Sequence, residues 1–154
     1  MAGFLIASPG HVNFMSEKQD LSSLIRSLAS ENKRFEAADA LISLGGRSVE
    51  PLLAALKFEN WKIRGNAAWT LGKIKDPRAV DSLIEALNDA VPEVRATAGC
   101  ALINIGEPSI DPLLRYVQNG NPASKGLAAC ILSAILGDEE EAGKERQCNL
   151  TNIV

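Results

Sequence analysis

The chain has 154 residues, 46% of them hydrophobic and 23% charged, which fits one globular domain and excludes a disordered chain. Sixteen Lys and Arg against 19 Asp and Glu leave a formal charge of -3, so there is no electrostatic drive toward nucleic acid. A single histidine, His11, and three cysteines without C-x-x-C spacing (Cys100, Cys130 and Cys148) give no disulfide framework or metal site, and a reducing, cytoplasmic setting is expected.

Residues 1–16 read as a disordered leader. Their apolar run, Phe4 to Ala7, has no basic residue before it and is too short for a signal core or a membrane span, so no membrane contact is expected. Met15 is a second candidate start, which would place the residues before it outside the native chain. The next segment, Leu21-x-x-Leu24-Ile25-x-x-Leu28, has the i, i+3, i+4, i+7 spacing of an amphipathic helix.

From there the chain repeats. Arg34, Arg64, Arg95 and Lys125 stand 30, 31 and 30 residues apart. Three residues after each comes an alanine (Ala37, Ala67, Ala98, Ala128), and seven after it a leucine (Leu41, Leu71, Leu102, Leu132). Ten after it stand Leu44, Ile74, Ile105 and Ile135, so the three offsets form one helical face, helix A of each unit. Helix B follows as Val49-x-x-Leu52-Leu53-x-x-Leu56, Val80-x-x-Leu83-Ile84-x-x-Leu87 and Ile110-x-x-Leu113-Leu114-x-x-Val117.

Leu21 to Leu28 is then a B helix without its A partner, and Pro122 to Leu136 an A helix without its B partner. Glycines 45, 106 and 137 lie where a helix ends in a left-handed residue, Asp76-Pro77 starts a new segment, and Pro51 and Pro112 mark the starts of their B helices. The pattern predicts eight helices, near 17–29, 32–44, 47–58, 61–74, 77–88, 91–104, 107–118 and 122–136, and no sheet. Residues 17–137 thus hold a half repeat, three full repeats and a half repeat, and 138–154 an acidic then polar solvated tail. Both ends should expose apolar edges, covered either by the tail through Leu150 and Ile153 or by a second copy, which makes a homodimer through the repeat ends an expectation.

The segment from Trp61 to Asp89, WKIRGNAAWTLGKIKDPRAVDSLIEALND, resembles the HEAT-like repeat first associated with phycobilisome lyases, through its arginine, Ala-Ala pair, Leu-Gly, Asp-Pro-Arg-Ala-Val turn and B stripe. The first and third units share the pattern without the Asp-Pro-Arg turn, and the fourth only through its A helix. The resemblance spans about residues 18–137 and implies an all-α fold, an α-solenoid of helical hairpins. It does not imply lyase activity, because fold is not function. Hydroxylases built from similar repeats hold iron with His-Glu pairs, and this chain has no His-Glu dipeptide.

No catalytic, cofactor or metal motif is present, so the candidate residues are contact residues. The positions between the B stripes face outward: Arg26 in the first, then Glu50 and Lys57, and Asp81, Glu85 and Asn88 in the next two. In the last they are Asp111, Arg115, Tyr116 and Gln118. Trp61, at the start of its A helix, and Trp69, nearly opposite the Ala/Leu stripe, are candidate aromatic anchors, with Trp69 expected either to be exposed on the convex side or to pack against a neighbouring A helix. The repeated basic residues have a structural reading, with their stems laid over the helix surface and their heads on carboxylates or carbonyls.

The leading reading is a non-enzymatic module that binds a protein or peptide on the concave surface of its B helices, without cofactor. The resemblance also leaves open a bilin lyase subunit acting with a partner chain, in which Tyr116 and the tryptophans would contact the tetrapyrrole. A nucleic-acid groove would have to be basic, whereas Arg26, Lys57 and Arg115 here mix with Glu50, Asp81, Glu85 and Asp111.

Overall fold

A computed structural model of the chain describes residues 13–137, with side chains from Asp20 onward. It contains α1 (Asn13–Ser27), α2 (Arg34–Leu44), α3 (Gly46–Ala55), α4 (Trp61–Ile74), α5 (Val80–Ala86), α6 (Pro92–Ile105), α7 (Ile110–Asn119) and α8 (Pro122–Gly137). Short 3-10 turns, Pro77–Ala79 and Glu107–Ser109, lead into α5 and α7, and no strand occurs among the described residues. The odd-numbered helices are the B helices and the even-numbered ones the A helices. Helix α1 begins at Asn13, earlier than the periodicity predicted, because a B stripe marks only the packed part of a helix. The rest of the expected leader and the whole expected tail lie outside the described residues.

Helix ends follow local chemistry. The Asn60 side chain accepts from Lys62 N at 2.9 Å to start α4, and Asp76 accepts from Arg78 N at 3.0 Å to open the turn before α5. Gly45 and Gly106 end α2 and α6 with φ of 56° and 79°, a backbone that side chains with a Cβ rarely adopt. The second unit ends its A helix in Lys75 at φ 59°, a left-handed lysine.

Helix α3 starts at Gly46, directly after the Gly45 turn and one residue from the expected boundary, so Pro51 lies inside the helix and does not mark its start. The residues before Val49 are thus already helical, where the second and third units form 3-10 turns.

The A helices pack closest to one another, tightest at α4 against α6, while the B helices stand further apart. Small residues make this possible: a Cβ on Gly72 would meet Ala101 Cα at 2.6 Å, so only a glycine fits at that crossing. The repeat alanines 37, 67, 98 and 128 are all buried, as are Leu41, Leu71 and Leu102. On the B side Val49, Leu52, Leu83, Leu87 and Leu113 close the core, and each such leucine contributes about 1.5–3 kcal/mol through burial.

The far end of the stack is less complete. Leu132 is only half-buried, and Leu114 and Leu136 are 40% and 48% exposed, where the next B helix would lie in a longer array. Among the described residues no helix is long and apolar enough to cross a membrane.

Candidate functional site

Three of the four repeated basic residues tie their A helix to the chain that follows the preceding B helix or to that helix's end. The Arg64 guanidinium donates through Nε and Nη2 to both carboxylate oxygens of Asp89, at 2.7 and 2.9 Å, and through Nη1 to the carbonyls of Phe58 and Glu59. Asp89 also accepts from Val91 N at 2.9 Å, so one carboxylate ties α4 to the loop that starts α6. The hydrogen bonds from Arg64 hold Asp89 below its ordinary pKa of 3.8. Arg95 donates to the carbonyls of Asp89 and Ala90, and Lys125 to that of Gln118. Arg34 differs, lying over the Phe35 ring at 4.6 Å. These contacts occupy Arg64, Arg95 and Lys125 with carbonyls just before their own helices, as the structural reading of their spacing expected.

A second cation joins the first two units. Arg78 donates to Asp76 at 2.8 Å and to the carbonyl of Gly46 at 3.1 Å, and lies 3.7 Å from Glu50. Its hydrogen bonds hold the Asp76 carboxyl below the ordinary value.

The outward B positions are exposed as their spacing predicts. Arg26, Lys57, Asp81, Glu85, Asp111 and Arg115 are all exposed and make no side-chain hydrogen bond or ion pair with a described residue. Gln118 is exposed as well, and Glu50 is exposed beside Arg78.

Two members of the set are built into the scaffold. Asn88 Oδ1 accepts from Tyr116 Oη at 2.9 Å, Asn121 Nδ2 at 3.0 Å and Ser124 Oγ at 2.8 Å, joining the end of α5 to α7 and α8. Tyr116 is half-buried, with its ring against Gly120, where a Cβ would come within 2.7 Å of the ring. Its hydroxyl is therefore committed within the fold, and removing the ring would affect stability as well as any contact.

The tryptophans divide. Trp61 is 42% exposed at the first turn of α4. Trp69 takes the packed alternative and not the exposed one. It is half-buried and packed on the core, with the Lys73 ammonium 5.5 Å from its ring centroid. The reason is that α4 lies between α2 and α6, and the close A-helix spacing covers this offset inside the stack. At the ends it opens: Asp39 and Cys130 are exposed, whereas Cys100 is half-buried.

Two shallow grooves run between the B helices. One of about 180 Å³ lies between α3 and α5, beside Lys57, Ser82 and Glu85. The other, of about 320 Å³, lies between α5 and α7, over Ile84, Pro112 and Tyr116 with Asp81, Arg115 and Asn119 at its sides. Among the described residues no group of His, Cys, Asp or Glu is placed to hold a metal ion.

Sequence reasoning missed several polar joints. Ser48 and Ser109, just before their B stripes, are fully buried and donate to the carbonyls of Leu41 and Leu102 at 2.7 and 3.1 Å. Asn66 donates to the Leu28 carbonyl and ties α4 to the first B helix. The serine recurrence 61 residues apart is a signal visible in the sequence, whereas nothing local marks Asn66 or Asn88.

A model of the family described as HEAT repeats matches residues 19–103, more than half of the chain. A bilin biosynthesis protein, RpcF, of Synechococcus sp. is 34% identical over 104 residues, covering 67% of this chain and 46% of that protein. Deoxyhypusine hydroxylase of Rattus norvegicus is 33% identical over 133 residues, 77% of this chain and 41% of that one. The phycocyanobilin lyase subunit beta of Nostoc sp. is 40% identical over 70 residues, 45% of this chain and 35% of that one. The chain thus spans less than half the length of these relatives. The structure of human deoxyhypusine hydroxylase in complex with glycerol aligns with a TM-score of 0.60 at 23% identity, over 90% of this chain and 51% of that one, a likeness of fold.

Proposed function

This chain belongs to the HEAT-repeat family, and on that premise we propose that it is an interaction module whose B-helix face binds a partner polypeptide. The observation that carries the reading is the division of labour among its charged residues. Arg64, Arg78, Arg95, Asp76 and Asp89 are used inside the scaffold, whereas Arg26, Lys57, Asp81, Glu85, Asp111 and Arg115 on one face are engaged by no described residue. Charges that no packing requirement fixes are free to differ from unit to unit, as Lys57, Asn88 and Gln118 do at one offset, although Glu50, Asp81 and Asp111 keep one sign at theirs. Arg26, Glu85 and Arg115 occupy the same register in three B helices. The mixed signs on this face favour a polypeptide over a polyanion.

The test is affinity capture from the source cells with the wild-type chain and with an R26E/K57E/R115E variant, followed by mass spectrometry. A partner retained by the wild type and lost by the variant, with circular dichroism unchanged, is the expected result. Partners held equally by both would overturn the assignment to this face.

A second reading is favoured by the two cyanobacterial relatives, one a bilin biosynthesis protein and the other a subunit of a phycocyanobilin lyase. In that reading the chain acts as a lyase-type subunit beside another chain. Visible absorbance that co-purifies with the chain, or appears when a bilin is added to it with the captured partner, supports this reading; its absence in both cases refutes it.

A further inference from the structure

The two grooves between B helices differ in chemistry. The α3–α5 groove has polar walls, and one of its residues, Asp89, is committed to Arg64. The α5–α7 groove has an apolar floor formed by Ile84, Pro112 and the Tyr116 ring. That ring is fixed in advance, its edge against Gly120 and its hydroxyl on Asn88. Above this floor stand two exposed charges of opposite sign, Asp81 from α5 and Arg115 from α7. Neither is paired with a described residue, although Asp111 lies one turn before Arg115 on the same helix. An unpaired guanidinium beside a rigid apolar surface is a receptor for a carboxylate carried next to an apolar side chain, because the fork satisfies two carboxylate oxygens at once.

We propose that the α5–α7 groove is the anchor subsite of the face: it takes one large apolar side chain of a partner polypeptide whose neighbouring residues carry a carboxylate for Arg115 and an ammonium for Asp81. This rests on the reading of the B-helix face as a polypeptide-binding surface and names the chemistry of its occupant. Little ordering is needed on this side, since the Tyr116 wall is already held, and preorganisation raises affinity. Arg115 and Asp81 select among peptides by charge, while the floor is indifferent to sequence beyond its apolar character.

The probe is a displayed library of random twelve-residue peptides, selected in parallel on the full wild-type chain, on Arg115→Glu and on Asp81→Lys. Both residues are exposed and unpaired, so the variants should melt as the wild type does. The wild type is expected to enrich peptides with a large apolar residue and an Asp or Glu within one turn of it. A synthetic consensus peptide should lose about tenfold or more in affinity on Arg115→Glu, the scale of one charged hydrogen bond. The same peptide with its acid replaced by Lys should prefer Arg115→Glu over the wild type.

No shared pattern, or a consensus peptide indifferent to both Arg115→Glu and Asp81→Lys, overturns the groove assignment. Weakening of such a peptide by Arg26→Glu or Lys57→Glu would leave the broader face standing and remove only the anchor. Indifference to all four substitutions, or no enriched peptide at all, would remove both.

Discussion

Two glycines inside A helices should respond oppositely to the same substitution. At Gly72, in α4, an alanine Cβ would lie 2.6 Å from Ala101 Cα and 2.8 Å from Ala101 Cβ. Carbon atoms in contact normally stand about 3.5–4.0 Å apart, so α4 and α6 would have to separate by roughly 1 Å at their closest crossing. The obstacle is backbone and cannot turn aside. Overpacking of this kind costs about 1–3 kcal/mol, and the upper part of that range applies because the A-helix seam must open. Replacing a helical glycine returns about 1 kcal/mol, leaving Gly72→Ala destabilised by about 1–2 kcal/mol.

At Gly126, in α8, nothing lies within 4 Å of the added Cβ, so only the helical gain of about 1 kcal/mol remains. Urea unfolding followed by far-ultraviolet circular dichroism should therefore place the two midpoints on opposite sides of the wild type, about 2–3 kcal/mol apart. Adding Ala101→Gly removes the 2.8 Å contact but leaves the one to Cα, so the double variant should recover only in part. If Gly72→Ala were as stable as Gly126→Ala, the close A-helix crossing would be wrong.

Three further outcomes can be measured. Asp89→Asn should cost about 1–3 kcal/mol, because it leaves the half-buried Arg64 guanidinium without its carboxylate. Since Arg64 lowers the Asp89 pKa, this stabilisation is complete above the ordinary value of 3.8 and is lost as the pH falls below it through the folded-state value. The variant's melting temperature should accordingly fall less steeply in that acid window. Tyr116→Phe keeps the ring and removes one donor to Asn88, so melting should report a loss of about 0.5–1.5 kcal/mol, and an unchanged value would mean that the joint carries no load. Leu136→Glu, at an end position that is 48% exposed, should leave the melting temperature nearly unchanged while weakening any concentration-dependent association seen by sedimentation.

Periodicity alone determined the repeat, the order of its helices and its core. Alanines three residues after each basic anchor and the B stripes can be buried together only if helical hairpins stack, and the fold follows from that requirement. The outward positions on the B helices were legible for the same reason, since a side chain between two buried rows of a helix has only solvent to face. Three-dimensional packing decided what periodicity on one helix cannot express. Trp69 lies opposite its own stripe, yet α2 and α6 close around α4 and cover it. Periodicity places the start of α3 near residue 47, close to the observed Gly46, but only the Gly45 turn shows that Pro51 lies within the helix and not at its start. Asn88 and Tyr116 looked like free surface residues. Asn88 meets Tyr116, Asn121 and Ser124 only because residues about 30 apart in sequence are brought side by side by stacking. The groove over Ile84 exists for that reason too: its floor and its two charges come from separate helices, and the distance between those helices is set by contacts in the other layer.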